Sequence, residues 1–304
     1  MHKIFIPLTL IFLMVSCHGG ADKHPAKARM HHLRFNPPDS STYRYNTTSE
    51  TIIIVTENDR SFGTHRTSRF TVNYLISKDS NEVMMEMTFD SIDYHERNGV
   101  GVREVDAADV PGPIRGLLDK MRTATIFGRV RHDGSVITIG GAQELVDPVM
   151  DSYYAEADRS QARRYWGQWV EQQLVWKNLD PFTWITWDSA QHPGDHWTDT
   201  STNAEDINFK INKRFQFDTI RAAIATIRSQ GRISNDRAGT WLSGKPIKGM
   251  LTGMENGKYL VDTATGMPGE IEDSISAGGN VQIDGHNARI EIVKTIKMAG
   301  AKLK

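Results

Sequence analysis

The 304-residue sequence predicts an α+β protein, predominantly antiparallel β, in which two sheet-rich halves pack on a central pair of amphipathic helices. Three features carry this expectation. Long runs on either side of the centre alternate apolar and polar residues, the pattern of strands with one buried face. Turn chemistry rich in Pro, Asp, Asn and Gly separates those runs. From Asp147 to Asn178 the apolar residues recur instead at three- and four-residue steps, and Tyr153, Tyr154, Tyr165, Trp166, Trp169 and Trp176 crowd into that stretch.

The chain opens on Met1, His2 and Lys3, followed by the apolar run Ile4 to Val15. That run is too short for a bilayer-spanning helix and suits a signal-peptide core. It ends in Met14-Val15-Ser16-Cys17, which resembles the bacterial lipoprotein signal, with Met14 in place of the commoner Leu. The resemblance implies that residues 1–16 are removed and that Cys17, the only cysteine in the chain, carries the lipid. It further implies a protein of the bacterial cell envelope, anchored through its N-terminal lipid. The residue after Cys17 is His18 rather than Asp, which by analogy with lipoprotein sorting favours the outer membrane. Residues 17–32, rich in Gly, Ala, Lys and His, read as a flexible tether. A single cysteine excludes an intrachain disulfide, so stability rests on core packing.

Residues 33–141 form the N-terminal sheet-rich half. Pro37-Pro38-Asp39 is a turn, and Thr42 to Val55 reads as strand from its β-branched and aromatic content. Phe70, Val72, Tyr74 and Ile76 alternate with polar residues, as do Val83, Met85, Met87 and Phe89, with Ile92 and Tyr94 beyond. Lys78-Asp79-Ser80-Asn81 is the hairpin turn between these two runs. Arg97 to Pro113 reads as a loop and Pro113 to Met121 as a short helix. Thr123 to Arg131 and Ser135 to Ile139 flank the His132-Asp133-Gly134 hairpin, and Gly140-Gly141 closes this half.

The central helical segment is residues 142–188. Asp147-Pro148 is expected to start the first helix, whose apolar face is Val149, Met150, Tyr153, Tyr154 and Ala157. Asp158 or Ser160 is expected to cap the second, with the stripe Ala162, Tyr165, Trp166, Trp169, Val170 and Gln173. Each aromatic removes roughly 150–250 Å² from water on burial, worth at most about 4–6 kcal/mol at roughly 25 cal/mol per Å². The helices must therefore pack on the flanking strands. Tyr165, Trp166, Trp169 and Trp176 are the candidate lining of a ligand groove, and the alternative is that these aromatics are core alone.

Residues 189–304 form the C-terminal half. His192-Pro193-Gly194-Asp195-His196-Trp197 is a turn. A strand follows with Ile207, Phe209, Ile211, Phe215 and Phe217 on one face, interrupted by Lys213. Ile220 to Arg228 is expected to pair with it, and Glu255-Asn256-Gly257-Lys258 reads as a further hairpin turn. Ile271, Ile275, Val281, Ile283, Ile290, Ile292, Val293 and Ile296 mark the last strands. Both halves open with Pro, Asp and an aromatic and hold a late Asp/Asn-Gly hairpin, the outline of a diverged tandem repeat.

Cys17, the Pro-Asp-aromatic opening, the paired Gly hairpins and the segment Val261-Asp262-Thr263-Ala264-Thr265-Gly266 together resemble a family of uncharacterised bacterial lipoproteins of about this length. That resemblance implies no activity. In architecture, sheets around aromatic helices also resemble the lipoprotein-localisation carriers, which hold acyl chains in such a trough.

The chemistry expected is binding rather than catalysis. The 36 Lys+Arg against 37 Asp+Glu lack the basic excess of a nucleic-acid binder. The chain has no G-x-S-x-G, G-x-x-x-x-G-K-S/T or H-E-x-x-H motif. Pro193 and Gly194 deny His192 and His196 the shared helix face of a metal site. No cofactor is implied. The expected partners are the membrane and an apolar ligand or another envelope protein. The alternatives are a purely structural envelope module, or a hydrolase whose site is assembled from distant residues.

Overall fold

The computed structural model describes residues 31–79, 82–100, 112–171, 175, 178–179, 182, 190–203, 209–234, 239–240, 246–283 and 285–303. Cys17, Trp176, Gln173, the 1–16 leader and most of the tether lie outside the described residues, as do Ser80 and Asn81 of the expected turn.

A small antiparallel pair joins β1 (His31–His32) to β7 (Ala190–Gln191). The other strands, in chain order, are β2 (Thr42–Glu57), β3 (Arg60–Asp79), β4 (Glu82–Val100), β5 (Ile126–Arg131), β6 (Val136–Gly140), β8 (His196–Asn203), β9 (Phe209–Arg221), β10 (Ile224–Ser234), β11 (Gly239–Thr240), β12 (Pro246–Gly249), β13 (Thr252–Asp262), β14 (Pro268–Ile283) and β15 (His286–Lys302). The helices are α1 (Gly112–Met121), before β5, and α2 (Ala142–Tyr153) and α3 (Glu156–Val170), after β6.

The fold is α+β and mostly antiparallel, as expected. The two halves are not separate sheets. They merge into one open antiparallel sheet of order β6-β5-β4-β3-β2-β15-β14-β13-β10-β9-β8 among the described strands. The junction is the pairing of β2 with β15, from Tyr43↔Lys302 to Thr56↔Arg289, so the two ends of the described chain lie side by side at the middle of the sheet. β12 pairs with β14 just beyond the end of β13, and β11 pairs with β12.

Alternation places one face of every long strand inside. On β2, Tyr43, Tyr45, Thr47, Ser49, Thr51 and Ile53 are buried while Arg44, Asn46, Thr48 and Glu50 are exposed. On β3 and β4 the inward residues are Phe70, Val72, Tyr74, Ile76, Val83, Met85, Met87 and Phe89. The jump from Phe89 to Ile92 is a bulge: Val72 opposes Phe89, Thr71 opposes Ser91 and Phe70 opposes Ile92. An extra residue on one strand resets which parity faces inward. The outer face carries polar ladders, such as Arg44 Nε–H donating to Asn73 Oδ1 (2.9 Å) and Asn73 Nδ2–H to Asp90 Oδ1 (2.6 Å).

The helices cover part of the inner face. Ile114, Leu117, Leu118 and Met121 of α1, Leu145, Val146, Val149 and Met150 of α2, and Ala162, Trp166, Trp169 and Val170 of α3 join one apolar cluster with Tyr45, Phe70, Tyr74, Met87 and Tyr259 of the sheet. A second cluster, with Ile53, Phe209, Ile211, Ile233, Ile247, Leu251, Ile275, Ile290 and Ile292, lies further along the same face.

Five local expectations are corrected. Helix α2 begins at Ala142, not at Asp147-Pro148, and Pro148 sits inside it. Its start is set by Gly141, at φ 88°, where a side chain would collide with Thr125 O. Helix α3 begins at Glu156, ahead of Asp158. Strand β4 runs on through Arg97 to Val100, which pairs with Phe62. Arg221 and Ile224 face one another across a two-residue hairpin of Ala222 and Ala223, both at positive φ (48° and 66°), inside the expected Ile220–Arg228 strand. Finally, Glu255-Asn256-Gly257-Lys258 is the middle of β13, not a turn. The expected turn at Asp133-Gly134 is present, with Asp133 Oδ1 accepting from Ser135 N–H (2.8 Å) and Oγ–H (2.6 Å).

Candidate ligand-binding face

Of the four residues singled out for a groove, Tyr165, Trp166 and Trp169 belong to α3, and Trp176 lies outside the described residues. Tyr165, Trp166 and Trp169 lie in one chain of edge-to-face rings, with centroids 5.0 Å apart for Tyr165–Trp166 and 5.8 Å for Trp166–Trp169. The chain continues from α3 into the sheet through Trp169–Tyr94 at 6.2 Å. Trp166 and Trp169 are buried and Tyr165 is 37 % exposed. Trp166 Nε1–H donates to Tyr154 Oη (2.8 Å), which satisfies the polar edge of the indole. Beside this chain, Tyr45, Tyr74 and Phe182 pack edge-on at 5.0–5.6 Å, each with Phe182 as a neighbour. Tyr45 Oη–H donates to Pro268 O (2.6 Å) and Tyr74 Oη–H to Asn178 O (3.0 Å). Burial pushes both phenols far above their ordinary pKa, so both are neutral donors.

The ring chain ends on an ionic row that sequence reasoning missed. Asp199, Lys213, Gly231, Glu255, Ile275, Lys294, Thr51, Arg66 and Glu96 are successive register partners across nine strands, β8 to β4. The adjacent row runs Trp197, Phe215, Ser229, Gly257, Asp273, Ile296, Ser49, Ser68, Tyr94. Lys213, Glu255, Asp273, Lys294, Arg66, Thr51, Ser49, Ser68 and Ser229 are all buried. On one side of these rows lies the helix-covered cluster; on the other lies the second cluster.

At one end of this belt Arg66 Nε–H meets Glu96 Oε2 (3.2 Å), and Tyr94 Oη–H donates to the same oxygen (2.8 Å). Burial opposes ionisation of Glu96, but the Arg66 guanidinium with the Tyr94 and Asn98 hydrogen bonds outweighs it and holds the carboxyl below its usual range. At the other end Lys213 Nζ lies 3.2 Å from Glu255 Oε1 and 3.5 Å from Asp273 Oδ2. Ser229 Oγ–H donates to Glu255 Oε1 (2.7 Å). Glycines make room: a Cβ on Gly231 would stand 2.8 Å from Glu255 Oε2, and one on Gly257 2.4 Å from Ser229 Oγ. One signal for the belt was present in the sequence. Lys213, Asp273 and Lys294 each break an apolar period-two pattern at an inward position.

The remaining candidates fall elsewhere. His192 and Asp195 form the expected turn, with His192 N–H donating to Asp195 Oδ2 (2.7 Å) and Gly194 at φ 102°. Asp262 Oδ1 accepts from Ala264 and Thr265 N–H in a tight turn at the end of β13. Among the described residues no cluster of three His, Cys, Asp or Glu could hold a metal, and no helix is long and apolar enough to cross a membrane.

Among solved structures, the chain is similar to lipovitellin, from a study of its lipid–protein interactions, with 12 % identity and a TM-score of 0.46 over 86 % of this chain. It spans only 25 % of the lipovitellin chain. It is more remotely similar to an outer membrane channel from Pseudomonas putida F1, with 7 % identity, a TM-score of 0.23 and coverage of 87 % of this chain and 96 % of that one. OccK7 (OpdD) of Pseudomonas aeruginosa aligns with 6 % identity and a TM-score of 0.21, over 87 % of this chain and all of that one. No curated protein matches the sequence. Residues 80–268, from the end of β3 to the start of β14, match a family of unknown function, and by that match the chain belongs to the DUF6263 family.

Proposed function

We propose that this is a lipid-anchored protein of the bacterial cell envelope that binds an apolar or amphipathic ligand without catalysis. Cys17 bears the lipid, residues 17–32 are the tether, and the outer membrane is the expected site. The ligand lies between the inner face of the sheet and helices α2 and α3. The observation that carries this reading is the chain of rings from half-exposed Tyr165 through Trp166 and Trp169 to Tyr94, which ends on the Glu96–Arg66 ion pair. It supplies a continuous aromatic row from a partly exposed ring to a polar terminus, which suits a molecule with one oily and one polar end if α3 yields to admit it. Trp176 extends the same stretch of sequence and is proposed to contribute to the lining.

The test is native mass spectrometry of the full chain extracted gently from bacterial membranes, with titration of a fluorescent acyl probe in parallel. Bound apolar molecules, displaced by the probe and lost in Trp169→Ala but not in an outer-face variant such as Thr48→Ala, support the reading. A bare polypeptide mass with no probe binding favours a purely structural envelope module. Membrane release of Cys17→Ser tests the anchor separately.

A further inference from the structure

Glu255 of β13, Asp273 of β14 and Lys213 of β9 meet on the inner face with side chains 0 %, 3 % and 1 % exposed. Lys213 and Ser229 direct their donors at Glu255 Oε1 and Asp273 Oδ2. Glu255 Oε2 and Asp273 Oδ1 are left as buried oxygens with no hydrogen-bond donor. Two ionised carboxylates offer only acceptors, whereas one protonated carboxyl supplies a donor. Both carboxyls lie against the same ammonium, Glu255 Oε1 at 3.2 Å and Asp273 Oδ2 at 3.5 Å from Lys213 Nζ. One proton held by the pair therefore supplies the donor that the two carboxyls lack, and it leaves a single negative charge facing the Lys213 ammonium.

We propose that Glu255 and Asp273 share one proton in the folded protein, and that this proton is a latch which frees β13 from β14 when it is given up. The inference is independent of the ligand reading. The surrounding groups are accounted for strand by strand. β9 contributes Lys213, and β10 contributes Ser229 and the bare backbone of Gly231. β13 adds the Tyr259 hydroxyl, 3.4 Å from Ser229 Oγ. β14 adds Ile275, whose register partner on β15 is Lys294. Asp199 of β8 opposes Lys213 in register but is exposed. Burial, offset in part by Lys213 and reinforced by Asp273, pushes Glu255 up to about 7, consistent with a carboxyl that keeps its proton where ordinary ones have lost theirs.

The sign follows from linkage. The folded pKa is raised, so the closed form binds a proton that the open form releases. The contribution is complete below the ordinary carboxylate range, falls as pH rises toward about 7, and is flat above it. Within that window opening becomes about tenfold easier per pH unit.

The test is a ¹³C NMR titration of the full chain labelled at the Glu side-chain carboxyls. One resonance should titrate near neutrality and be missing in Glu255→Gln, whose amide reproduces the donor without a titratable proton. Amide exchange across β13–β14, for instance at Lys258 and Glu272, should accelerate with pH beyond intrinsic base catalysis in the wild type and not in the variant. Ordinary titration of every Glu overturns the shared proton, and pH-independent opening of this seam overturns the latch. If Glu255→Gln does not fold, Asp273→Asn serves instead, in which the Glu resonance near neutrality should move down because the Asp273 carboxyl that raises it is gone, and the wild-type titration alone still decides the first claim.

Discussion

Gly300 on β15 faces Tyr45 on β2 at the seam where the two halves of the sheet join. A Cβ at Gly300 would stand 2.1 Å from Tyr45 Cδ1 and 2.4 Å from Cγ and Cε1. Non-bonded carbons settle at roughly 3.5–4.0 Å, so Gly300→Ala requires the ring to retreat by more than about an ångström. It has nowhere to go. Tyr74 and Phe182 hold it edge-on at 5.6 and 5.2 Å, and its hydroxyl is tied to Pro268 O at 2.6 Å. Overpacking of this kind costs about 1–3 kcal/mol, and loosening a buried hydrogen bond adds about 1 kcal/mol. The lower chain entropy of Ala returns roughly 0.5–1 kcal/mol. The net expectation is a loss of about 1–3 kcal/mol in urea denaturation.

The double mutant isolates the cause. Tyr45→Ala alone costs about 3–5 kcal/mol, which leaves measurable stability in a domain of about 5–15 kcal/mol. In that background Gly300→Ala meets no ring and should be neutral or slightly stabilising. The coupling energy should then be about 2 kcal/mol. Additivity within about 0.5 kcal/mol would refute the claim that the ring, rather than glycine's backbone freedom, dictates Gly300.

Three further outcomes are expected. Phe182→Ala should cost about 3–5 kcal/mol in equilibrium unfolding, because Phe182 is fully buried and touches Phe35, Tyr45 and Tyr74. Glu96 has a lowered folded pKa, so its contribution is present above the ordinary carboxylate range and lost as pH falls through the folded value. Thermal midpoints of wild type and Glu96→Gln should converge as pH falls below the ordinary carboxylate range, and an undiminished gap in strong acid would contradict the Arg66 pairing. Trp166→Phe removes the donor to Tyr154 and should cost about 1 kcal/mol, seen as faster amide exchange in α2 and α3.

What could be read in the sequence was whatever is periodic and local. Phe70 to Ile76 and Val83 to Phe89 gave their strands because one buried face forces alternation, and Asp133-Gly134 gave its hairpin because the turn satisfies its own backbone. Asn256-Gly257 misled for a physical reason. Its composition is that of a turn, but Gly257 is required by the Ser229 and Tyr259 hydroxyls, which fill the space a side chain would need. Ser229 lies on the neighbouring strand β10 and only the register brings it there, while Tyr259 stands two residues further along β13 itself. The Ala222-Ala223 hairpin was invisible for the opposite reason: two residues without turn chemistry are held at positive φ by the strands on either side. At the candidate site, the ring stripe of α3 was legible from helical spacing. The ionic row was not, because its members lie far apart along the chain and only the register gathers them.

That row answers a difficulty which alternation creates. A one-residue slip between long strands exposes the core face and is prohibitive, but a two-residue slip returns every side chain to its own face. Apolar rows scarcely resist it. Sliding β13 by two residues would set Glu255 against Ser229 or Ile233 instead of Gly231 and carry it away from Lys213, leaving buried charge without its partner. Removing only Lys213, as in Lys213→Met, should cost about 3–5 kcal/mol for the same reason. Replacing the group together, with Lys213→Met, Glu255→Leu, Asp273→Leu and Ser229→Ala, should be neutral or stabilising by about 1–4 kcal/mol, yet give more than one set of β13 amide resonances as slipped registers become populated. A single native set in that quadruple variant would show that the surrounding apolar rows hold register unaided, and the buried charges would then need another explanation.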